Sequence, residues 1–273
     1  MTTDLLCCPV CAAPLVPQGN SYICPARHTF DIARQGYVNL LTGRAAQQHG
    51  DNKEMILARR DFLAAGYYEP LMREVAEAAC RYATPGCRLL DAGCGECSYT
   101  DRIDRALTAA AIPHEILGMD ISREALAIGG RKNKGLALAV ASLYHLPLPD
   151  ESIDMLFEIF APHCGEEFLR VLRTGGRLVM VIPAARHLFG LKEVLYATPY
   201  ENEVKDTALD GFCLSEQRSI RETVTLQNET DLWNLFTMTP YFYRTPPEAK
   251  EKLRQTAPLT TEIAFELLIY EKI

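Results

Sequence analysis

Four metal-binding side chains stand in two close pairs near the start of the chain. Cys8 and Cys11 form a C-x2-C pair, and Cys24 and His28 form a C-x3-H pair further along. Thiolates and a neutral imidazole at this spacing can complete a tetrahedral shell around Zn²⁺ with no open position. Cys7 is a rival to Cys8, but only Cys8 leaves the two-residue gap. We therefore predict a structural zinc site, with two reduced thiol pairs or a disulfide as the alternative.

A glycine turn, LLDAGCGEC, follows a predicted strand and opens a predicted helix. Gly93 and Gly95 let the backbone turn tightly and approach a ligand, and the N–H groups at the helix start favour a negatively charged group. Asp120 ends the next strand, where a carboxylate can accept hydrogen bonds from ribose hydroxyls. A dinucleotide fingerprint would place its third glycine at position 98, where this chain has Ser98.

The D-x-G-x-G order that begins at Asp91 resembles class I methyltransferases. In that class the loop passes the methionine part of S-adenosylmethionine, and the acid on the second strand holds the ribose. The segment ASLYHLPLPDESIDML resembles the third and fourth strands of these enzymes, with Ala141 and Ser142 placed to border the adenine. The segment RVLRTGGRLVMV resembles their next helix, glycine turn and fifth strand. This ordered series favours a methyltransferase domain over a nucleotide-dependent dehydrogenase.

Short apolar runs that alternate with helical patterns must position these groups. The predicted strands are CRLLDAG, EILGMDI, LALAVAS, IDMLFEIFA and RLVMVIP, and the predicted helices are SYTDRIDRALTAA, REALAIGGRK, GEEFLRVLR and RHLFGLKEVLYA. Two further strands, SIRETVTLQ and TEIAFELLIYEK, flank a predicted helix ETDLWNLFTM. Strands rich in Val, Ile and Leu between helices predict an α/β fold with a doubly wound, Rossmann-like parallel sheet. The resemblance to class I methyltransferases implies in addition an antiparallel C-terminal strand.

The chain divides into three parts by composition. The segment TGRAAQQHGDNK is polar and glycine-punctuated, so we predict a mobile connection there. Helical spacing begins near Met55, with a break at Gly66 and a new start at Pro70. The parts are a zinc-binding module (1–40), a linker and helical connection (41–69) and a methyltransferase domain (70–273).

Composition and charge narrow the classes of protein. Hydrophobic residues make up 48% and charged residues 23%, which favours neither disorder nor a membrane protein. Ten cysteines without an export signal suit reduced thiols, and we expect a cytoplasmic protein. Residues 1–60 contain six basic and four acidic residues, which give a formal net charge of +2. Because the whole chain carries −7, the remaining residues carry −9. A nucleic acid is therefore expected on the N-terminal part.

The whole chain resembles the family of 23S ribosomal RNA (guanine-N1)-methyltransferases. The segments that carry the resemblance are CPVC, YICPARHTFDIARQGYVNLL, ARRDFLAAGYYEPL, LDAGCGE, PAARHL and MTPYFYR, in family order. The resemblance implies Zn²⁺, S-adenosylmethionine, a 23S rRNA substrate, no membrane, and a homodimer. It implies that Cys8, Cys11, Cys24 and His28 bind zinc, and that Gly93, Gly95, Glu96, Asp120, Tyr68 and His187 lie at or near the cofactor. One departure is Cys97, which stands where the family usually has a glycine.

Methylation at guanine N1 requires that the nitrogen lose its proton and that the base be accessible. Near the predicted fourth strand, FEIFAPHC offers Glu158 and His163 as proton acceptors, although both could equally be structural. Stacking of the base could involve the aromatic side chains Phe160, Tyr67 and the run Tyr241–Tyr243, which could equally belong to the core. Arg59 and Arg60 are candidate phosphate contacts or a solvated helix face.

Two other functions fit the same motifs. A methyltransferase for a small apolar molecule would keep the cofactor site and use zinc only for stability. A non-catalytic zinc-containing RNA-binding protein would keep the fold without turnover, and Cys97 in the glycine loop favours this alternative.

Overall fold

The computed structural model describes residues 3–43, 50–203 and 207–273. Much of the predicted mobile connection, residues 44–49, lies outside the described residues. The N-terminal part contains β1 (Val16–Gln18), β2 (Ser21–Ile23), β3 (Thr29–Asp31) and β4 (Tyr37–Asn39), followed by helices α1 (Lys53–Ala64) and α2 (Glu69–Tyr82). Next come β5 (Cys87–Ala92), α3 (Ser98–Ala109), β6 (His114–Asp120), α4 (Arg123–Lys132), β7 (Ala137–Val140), β8 (Ile153–Ile159), α5 (Gly165–Val171), β9 (Leu172–Pro183), α6 (Phe189–Leu195), β10 (Phe212–Leu226), α7 (Glu229–Thr237), α8 (Tyr241–Arg244), α9 (Pro247–Arg254) and β11 (Leu259–Lys272).

An eight-stranded sheet forms the centre of the molecule, in the order β10-β11-β9-β8-β5-β6-β7-β4. Every pair from β4 to β9 is parallel, whereas β11 runs antiparallel to both of its neighbours. Apolar clusters cover both faces of the sheet. The predicted class I methyltransferase architecture, with its reversed C-terminal strand, is confirmed.

The helical connection breaks where the sequence predicts. Gly66 takes φ +86°, a left-handed conformation that glycine adopts without steric cost. Pro70 is the second residue of α2. An N–H group at this position would have no hydrogen-bond acceptor within the helix, so proline, which lacks the N–H, is tolerated there. α1 begins with Asn52, whose side chain accepts a hydrogen bond from the Met55 N–H at 2.9 Å.

Three elements begin three or more residues away from their predicted start, and two short helices are not predicted from the sequence. β10 begins at Phe212 rather than Ser219, because its exposed polar residues still pair along β11. β9 begins at Leu172, and its register with β8 shifts between Ile153 and Met155. α6 begins only at Phe189, since Leu188 before it takes φ +57°. The short helices α8 and α9 lack an apolar period long enough to predict them.

The N-terminal module is built into the larger domain. β1, β2 and β3 form a separate antiparallel sheet, but β4 pairs in parallel with β7 at the edge of the large sheet. Leu6, Leu15 and Tyr22 are buried in the same cluster as the side chains on one face of that sheet. A side chain at Gly130 in α4 would collide with the carbonyl oxygen of Gln35. The module therefore completes its core with the methyltransferase sheet.

Within the described ranges, no helix combines the length and the apolar composition needed to cross a lipid bilayer.

Candidate functional site

The four predicted zinc ligands converge. Their ligating atoms all lie within 4.8 Å of one another. The Sγ atoms of Cys11 and Cys24 are 3.7 Å apart, and Nδ1 of His28 lies 3.4 Å from Cys8 Sγ and 3.3 Å from Cys24 Sγ. Tetrahedral ligands at about 2.3 Å for sulfur and about 2.0 Å for nitrogen are separated by similar distances. The set therefore fits Zn²⁺, and four protein ligands make the site structural.

Two matching turns aim these side chains inward. After each C-P pair the chain closes with a left-handed residue, Ala12 at φ +57° and Arg27 at φ +65°. The N–H of Arg27 donates to the Cys24 carbonyl at 2.8 Å, and the N–H of Ala12 donates to the carbonyl of Cys8 at the same distance. Burial alone would raise the pKa of the Cys24 thiol, but hydrogen bonds, led by the His28 N–H, lower it to about 7. Cys24 is thus prepared to bind a cation as thiolate.

The glycine loop contacts the segment that follows β8. Gly93 has φ +82° and Gly95 has φ +55°. A Cβ on Gly93 would lie 2.5 Å from the Cβ of Ala161, a distance that real atoms do not adopt. The absence of a side chain at Gly93 thus brings the candidate cofactor loop against the FAPHC segment.

Asp91 and Asp120 are acids of this site that end neighbouring strands or precede the loop. Asp91 is buried and accepts a hydrogen bond from Thr100 Oγ1 at 2.5 Å. Burial, together with smaller contributions from the negative charges of Asp120 and Glu96, raises the pKa of Asp91 to about 7, although the hydrogen bond from Thr100 acts in the opposite direction. Asp120 accepts the backbone N–H of Gly95 at 2.9 Å and that of Ser122 at 2.7 Å. Burial raises the pKa of Asp120 against these hydrogen bonds.

The other candidate cofactor residues occupy the same edge of the sheet. The N–H of Ala141 donates to the Asp120 carbonyl at 3.0 Å, which joins the ends of β6 and β7. Ser142 follows directly, and its Oγ accepts the N–H of Tyr144 at 3.3 Å. Glu96 is buried in the glycine loop with 3% exposure, so its carboxylate lies inside the site rather than on the surface.

Tyr68 and His187 form a buried pair whose proton positions follow from their neighbours. The backbone N–H of Ala264 donates to His187 Nδ1 at 3.2 Å, so Nδ1 carries no proton. Burial, with a smaller contribution from Lys192, lowers the pKa of His187 to about 3, and the neutral ring therefore holds its proton on Nε2. Nε2 lies 3.3 Å from the Tyr68 hydroxyl and donates to it. The proton of Tyr68 itself is then free to donate to a ligand.

Glu158 and Phe160 lie side by side at the end of β8 but differ in exposure. Glu158 is 4% exposed and accepts Nδ1–H of His163 at 2.8 Å, which leaves Nε2 of His163 as the ring's acceptor atom. Phe160 is 47% exposed and takes φ +56°, an outlier for a bulky residue. Its ring centroid lies 5.5 Å from that of Phe265, which also contacts His187.

Cys97 adopts the left-handed conformation usual for glycine at its position. Its φ is +66°, and its Sγ lies 3.9 Å from Cys94 Sγ. A side chain at Gly129 in α4 would collide with Cys97 Sγ. The glycine in the helix thus makes the room that the cysteine side chain occupies.

The other aromatic candidates have partners within the protein. Tyr67 stacks on Phe62 at 5.1 Å between centroids and donates its hydroxyl hydrogen to Asp231 at 2.8 Å. Phe242 packs against Trp233 and Phe236. Tyr241 is half-buried and lies 6.2 Å from Tyr196, whereas Tyr243 is exposed and its hydroxyl contacts Asn52 and Met55.

The structure separates the paired arginines. Arg60 is partly exposed and forms an ion pair with Asp61. Arg59 pairs with Asp51 and reaches the glycine loop, where a Cβ on Gly95 would lie 3.6 Å from its Nη1. Burial alone would lower the pKa of Arg59, but the surrounding carboxylates, led by Asp51, raise it, so the side chain stays charged.

Sequence reasoning missed Arg59 and Asp51 as part of this site, although one signal was readable. Arg59 follows Met55 by four residues and precedes Phe62 and Leu63 by three and four. This spacing puts it beside the apolar face of α1, but Arg60 follows Ile56 by four residues and precedes Leu63 by three, so the spacing alone does not separate the two arginines. Tyr99 was missed as well, because a tyrosine in the first turn of a helix carries no distinguishing pattern.

Comparison with known proteins agrees with this geometry. Residues 6–45 match the zinc-ribbon family described as RlmA, N-terminal, and residues 90–180 match a methyltransferase domain family. A protein of Micromonospora griseorubida named as a 23S rRNA (guanine-N(1)-)-methyltransferase is 38% identical over 97% of each chain. The 23S rRNA (guanine(748)-N(1))-methyltransferase of Streptomyces fradiae is 33% identical over 92% of this chain and 90% of its own. A Bacillus subtilis protein, also named as a 23S rRNA (guanine-N(1)-)-methyltransferase, is 30% identical over 96% of this chain and 95% of its own.

Proposed function

Because the chain belongs to the family of 23S rRNA (guanine-N1)-methyltransferases, we propose that it transfers a methyl group from S-adenosylmethionine to N1 of a guanosine in 23S rRNA. The observation that carries the proposal is identity of 30 to 38% along nearly the whole chain, zinc ribbon included. A small-molecule methyltransferase would need no such ribbon, and a non-catalytic protein would need no acceptor beside the glycine loop.

The cofactor fits the residues that are present. Gly93 has no room for a side chain and Gly95 takes a left-handed conformation, which lets the loop backbone approach the methionine part, and Asp120 stands where a ribose would be held. Tyr68 and His187 contribute a donor proton at the same edge. When bound, the cofactor supplies an electrophilic methyl group on a sulfonium.

Glu158 and His163 are the groups we assign to proton transfer. The Glu158 carboxylate holds Nδ1–H of His163, so Nε2 can accept the proton that guanine N1 loses. Loss of that proton would leave the N1 lone pair able to accept the methyl group that bound S-adenosylmethionine would supply. The chain's main contribution is to align the nitrogen with the methyl group.

Phe160 is the surface we assign to the target base. Guanine N1 is engaged in pairing within a helix, so the base must come from a loop or be turned out of the stack. The ring of Phe160 is exposed just after β8, next to Ala161, which packs against Gly93 of the glycine loop. It therefore offers the stacking face that such a base needs.

Primer extension tests the function directly. Zinc-loaded protein is incubated with S-adenosylmethionine and unmodified 23S rRNA, and a methyl on N1 blocks copying at the modified guanosine. A new stop that requires the cofactor is the expected result. Cofactor binding with no stop on RNA or on ribosomal particles would reject the function. The homodimer implied by the resemblance stays a prediction, which analytical ultracentrifugation can test.

A further inference from the structure

Arg59 reaches the glycine loop at Gly95, and Tyr99 stands in the first turn of α3, the helix that follows this loop. We propose that the guanidinium of Arg59 and the hydroxyl of Tyr99 bind the carboxylate of the cofactor's methionine part, with Asp51 positioning Arg59. This inference rests on S-adenosylmethionine as cofactor but not on the RNA substrate. Arg59 and Tyr99 would thereby set the preference for a ligand that carries an α-carboxylate.

The position of Arg59 is fixed from several sides. Met55 and Phe62 on the same face of α1 are buried, so the guanidinium is directed inward and three-quarters covered. Asp51 pairs with it, and the neighbouring Gly50 packs where a Cβ would lie 3.0 Å from Ile121 Cγ2. Asp51 is thus anchored to the chain just beyond β6, and it holds Arg59 over the loop.

The glycine loop is bordered by acidic residues and by the guanidinium of Arg59. Asp91, Glu96 and Asp120 are carboxylates, and they suit the ammonium and sulfonium of the cofactor. A ligand carboxylate among these acids requires a cation, and Arg59 is the cation that acts on both Asp120 and Tyr99. A guanidinium also matches a carboxylate in planar, two-bond geometry.

Tyr99 adds a donor that the protein does not use. Its hydroxyl is buried and has no hydrogen-bond partner among the described residues. Buried polar groups in native proteins are nearly always paired, so a lone hydroxyl indicates an absent partner. Burial raises the pKa of Tyr99, and the neighbouring Tyr68 and Glu96 raise it by smaller amounts. The hydroxyl therefore stays protonated and can donate a hydrogen bond. A carboxylate oxygen between Tyr99 and Arg59 would satisfy it.

Ribose is the other cofactor part that could reach Arg59, since Asp120 lies close by. Ribose hydroxyls, however, are served by a carboxylate acceptor, and a permanently charged guanidinium offers only donors. The two assignments differ in one measurable respect. If Arg59 binds the methionine carboxylate, its contribution to binding affinity should disappear when the ligand lacks that carboxylate. If Arg59 binds the ribose, its contribution should be the same for both ligands.

Calorimetric titration of three ligands tests the proposal. S-adenosylmethionine, S-adenosylhomocysteine and decarboxylated S-adenosylmethionine are titrated into the wild type and Arg59→Met. We expect the wild type to bind the carboxylated ligands about 10- to 100-fold more tightly than the decarboxylated one. Arg59→Met should lose most of that preference, while its affinity for decarboxylated S-adenosylmethionine stays near the wild-type value.

Three further variants separate the role from a general loss of structure. Arg60→Met removes the adjacent arginine and should keep the wild-type preference. Tyr99→Phe should lower the preference by about 3- to 10-fold. Arg59→Lys keeps the charge but not the paired geometry, so its preference should be intermediate. Thermal unfolding of each variant reports whether it is folded.

Two outcomes would overturn the proposal: equal losses of affinity for all three ligands in folded Arg59→Met, or no loss for any of them. Neither depends on RNA methylation. If the ligand preference behaves as expected but primer extension shows no stop, the cofactor assignment stands and the RNA function fails.

Discussion

At the scale of single residues, Glu158 and Phe160 are neighbours with opposite relations to solvent. The buried carboxylate of Glu158 holds His163 through one hydrogen bond, and Phe160 exposes its ring in a strained conformation. Strained backbone persists where the surroundings enforce it, and it concentrates at functional sites. We therefore assign proton transfer to the buried Glu158 and base stacking to the exposed Phe160, two residues further along the chain.

Glu158→Gln should abolish the acceptor function while preserving cofactor binding. A glutamine keeps the shape but does not fix the proton of His163 on Nδ1, so we expect the methylation rate to fall about 100-fold or more. Single-turnover methylation and calorimetric binding of S-adenosylmethionine measure the two effects. Glu166→Gln, at an exposed acid in the first turn of α5, is the control and should leave both unchanged. A near-normal rate in Glu158→Gln would remove the pair from the mechanism.

Phe160→Gly should lose activity without losing stability. Glycine relieves the left-handed strain of about 1 kcal/mol, which offsets the lost contact with Phe265. Loss of a stacked base should lower RNA methylation about 10-fold or more. Glu151→Gly, at an exposed residue with φ +50°, relieves the same kind of strain and should keep full activity. Denaturant unfolding and methylation assays decide, and full activity in Phe160→Gly would contradict the stacking role.

Asp91 should make cofactor binding depend on pH. Its pKa in the free protein is raised to about 7 by burial, and a cationic ligand nearby favours the charged carboxylate. Binding then releases a proton, so affinity should increase as pH rises from about 6 to 8. The ligand's own amine also titrates, so the measured quantity is the difference between wild type and Asp91→Asn. A difference that is flat or falls with pH would contradict this assignment.

At the scale of elements, the approach of the glycine loop to the segment after β8 links cofactor and substrate sites. Gly93→Ala and Gly86→Ala form a matched pair, because their φ values are +82° and +81°. Only at Gly93 would the new Cβ collide, since nothing lies within 4 Å of it at Gly86. The left-handed backbone should cost each variant about 1 kcal/mol of stability, and Gly93→Ala should lose more than Gly86→Ala because of the collision, together with cofactor affinity. Equal affinity in the two variants would show that the contact is not needed.

The elements were largely predictable because their periods are long and consistent. The helices and strands from β5 to β8 follow the sequence pattern, whereas the reversal of β11 is expected only from the resemblance to class I methyltransferases. β4 was not predictable as part of the large sheet, because three residues carry no pairing information. The same limit applies to Arg59, whose pattern indicates a buried face but not the loop it reaches.

At the scale of the whole molecule, zinc should stabilise more than the ribbon that binds it. Leu6 and Leu15 of the module are buried with the face of the large sheet, and Gly130 of α4 contacts Gln35. Removal of zinc should therefore lower the melting temperature of the entire protein by about 10 °C in one transition.

Calorimetric scanning before and after chelation measures this, with Cys11→Ala as a genetic equivalent and Cys213→Ala as the control. Cys213 is exposed and lies outside the ligand group. Separate transitions, with the methyltransferase part unchanged, would show that the two parts are energetically independent.

The pairing of β4 with β7 also sets an order of events during synthesis on the ribosome. Val38 must pair with Ala139, which is translated roughly a hundred residues later, about 5 to 20 s at usual rates. The zinc ribbon can close early around its metal, and Val38 can already bridge to Ile32, yet the edge of β4 that pairs with β7 stays unpaired during that interval. The nascent chain therefore presents an open strand edge while translation continues, and slowing translation between these strands would prolong its exposure to aggregation and to chaperones.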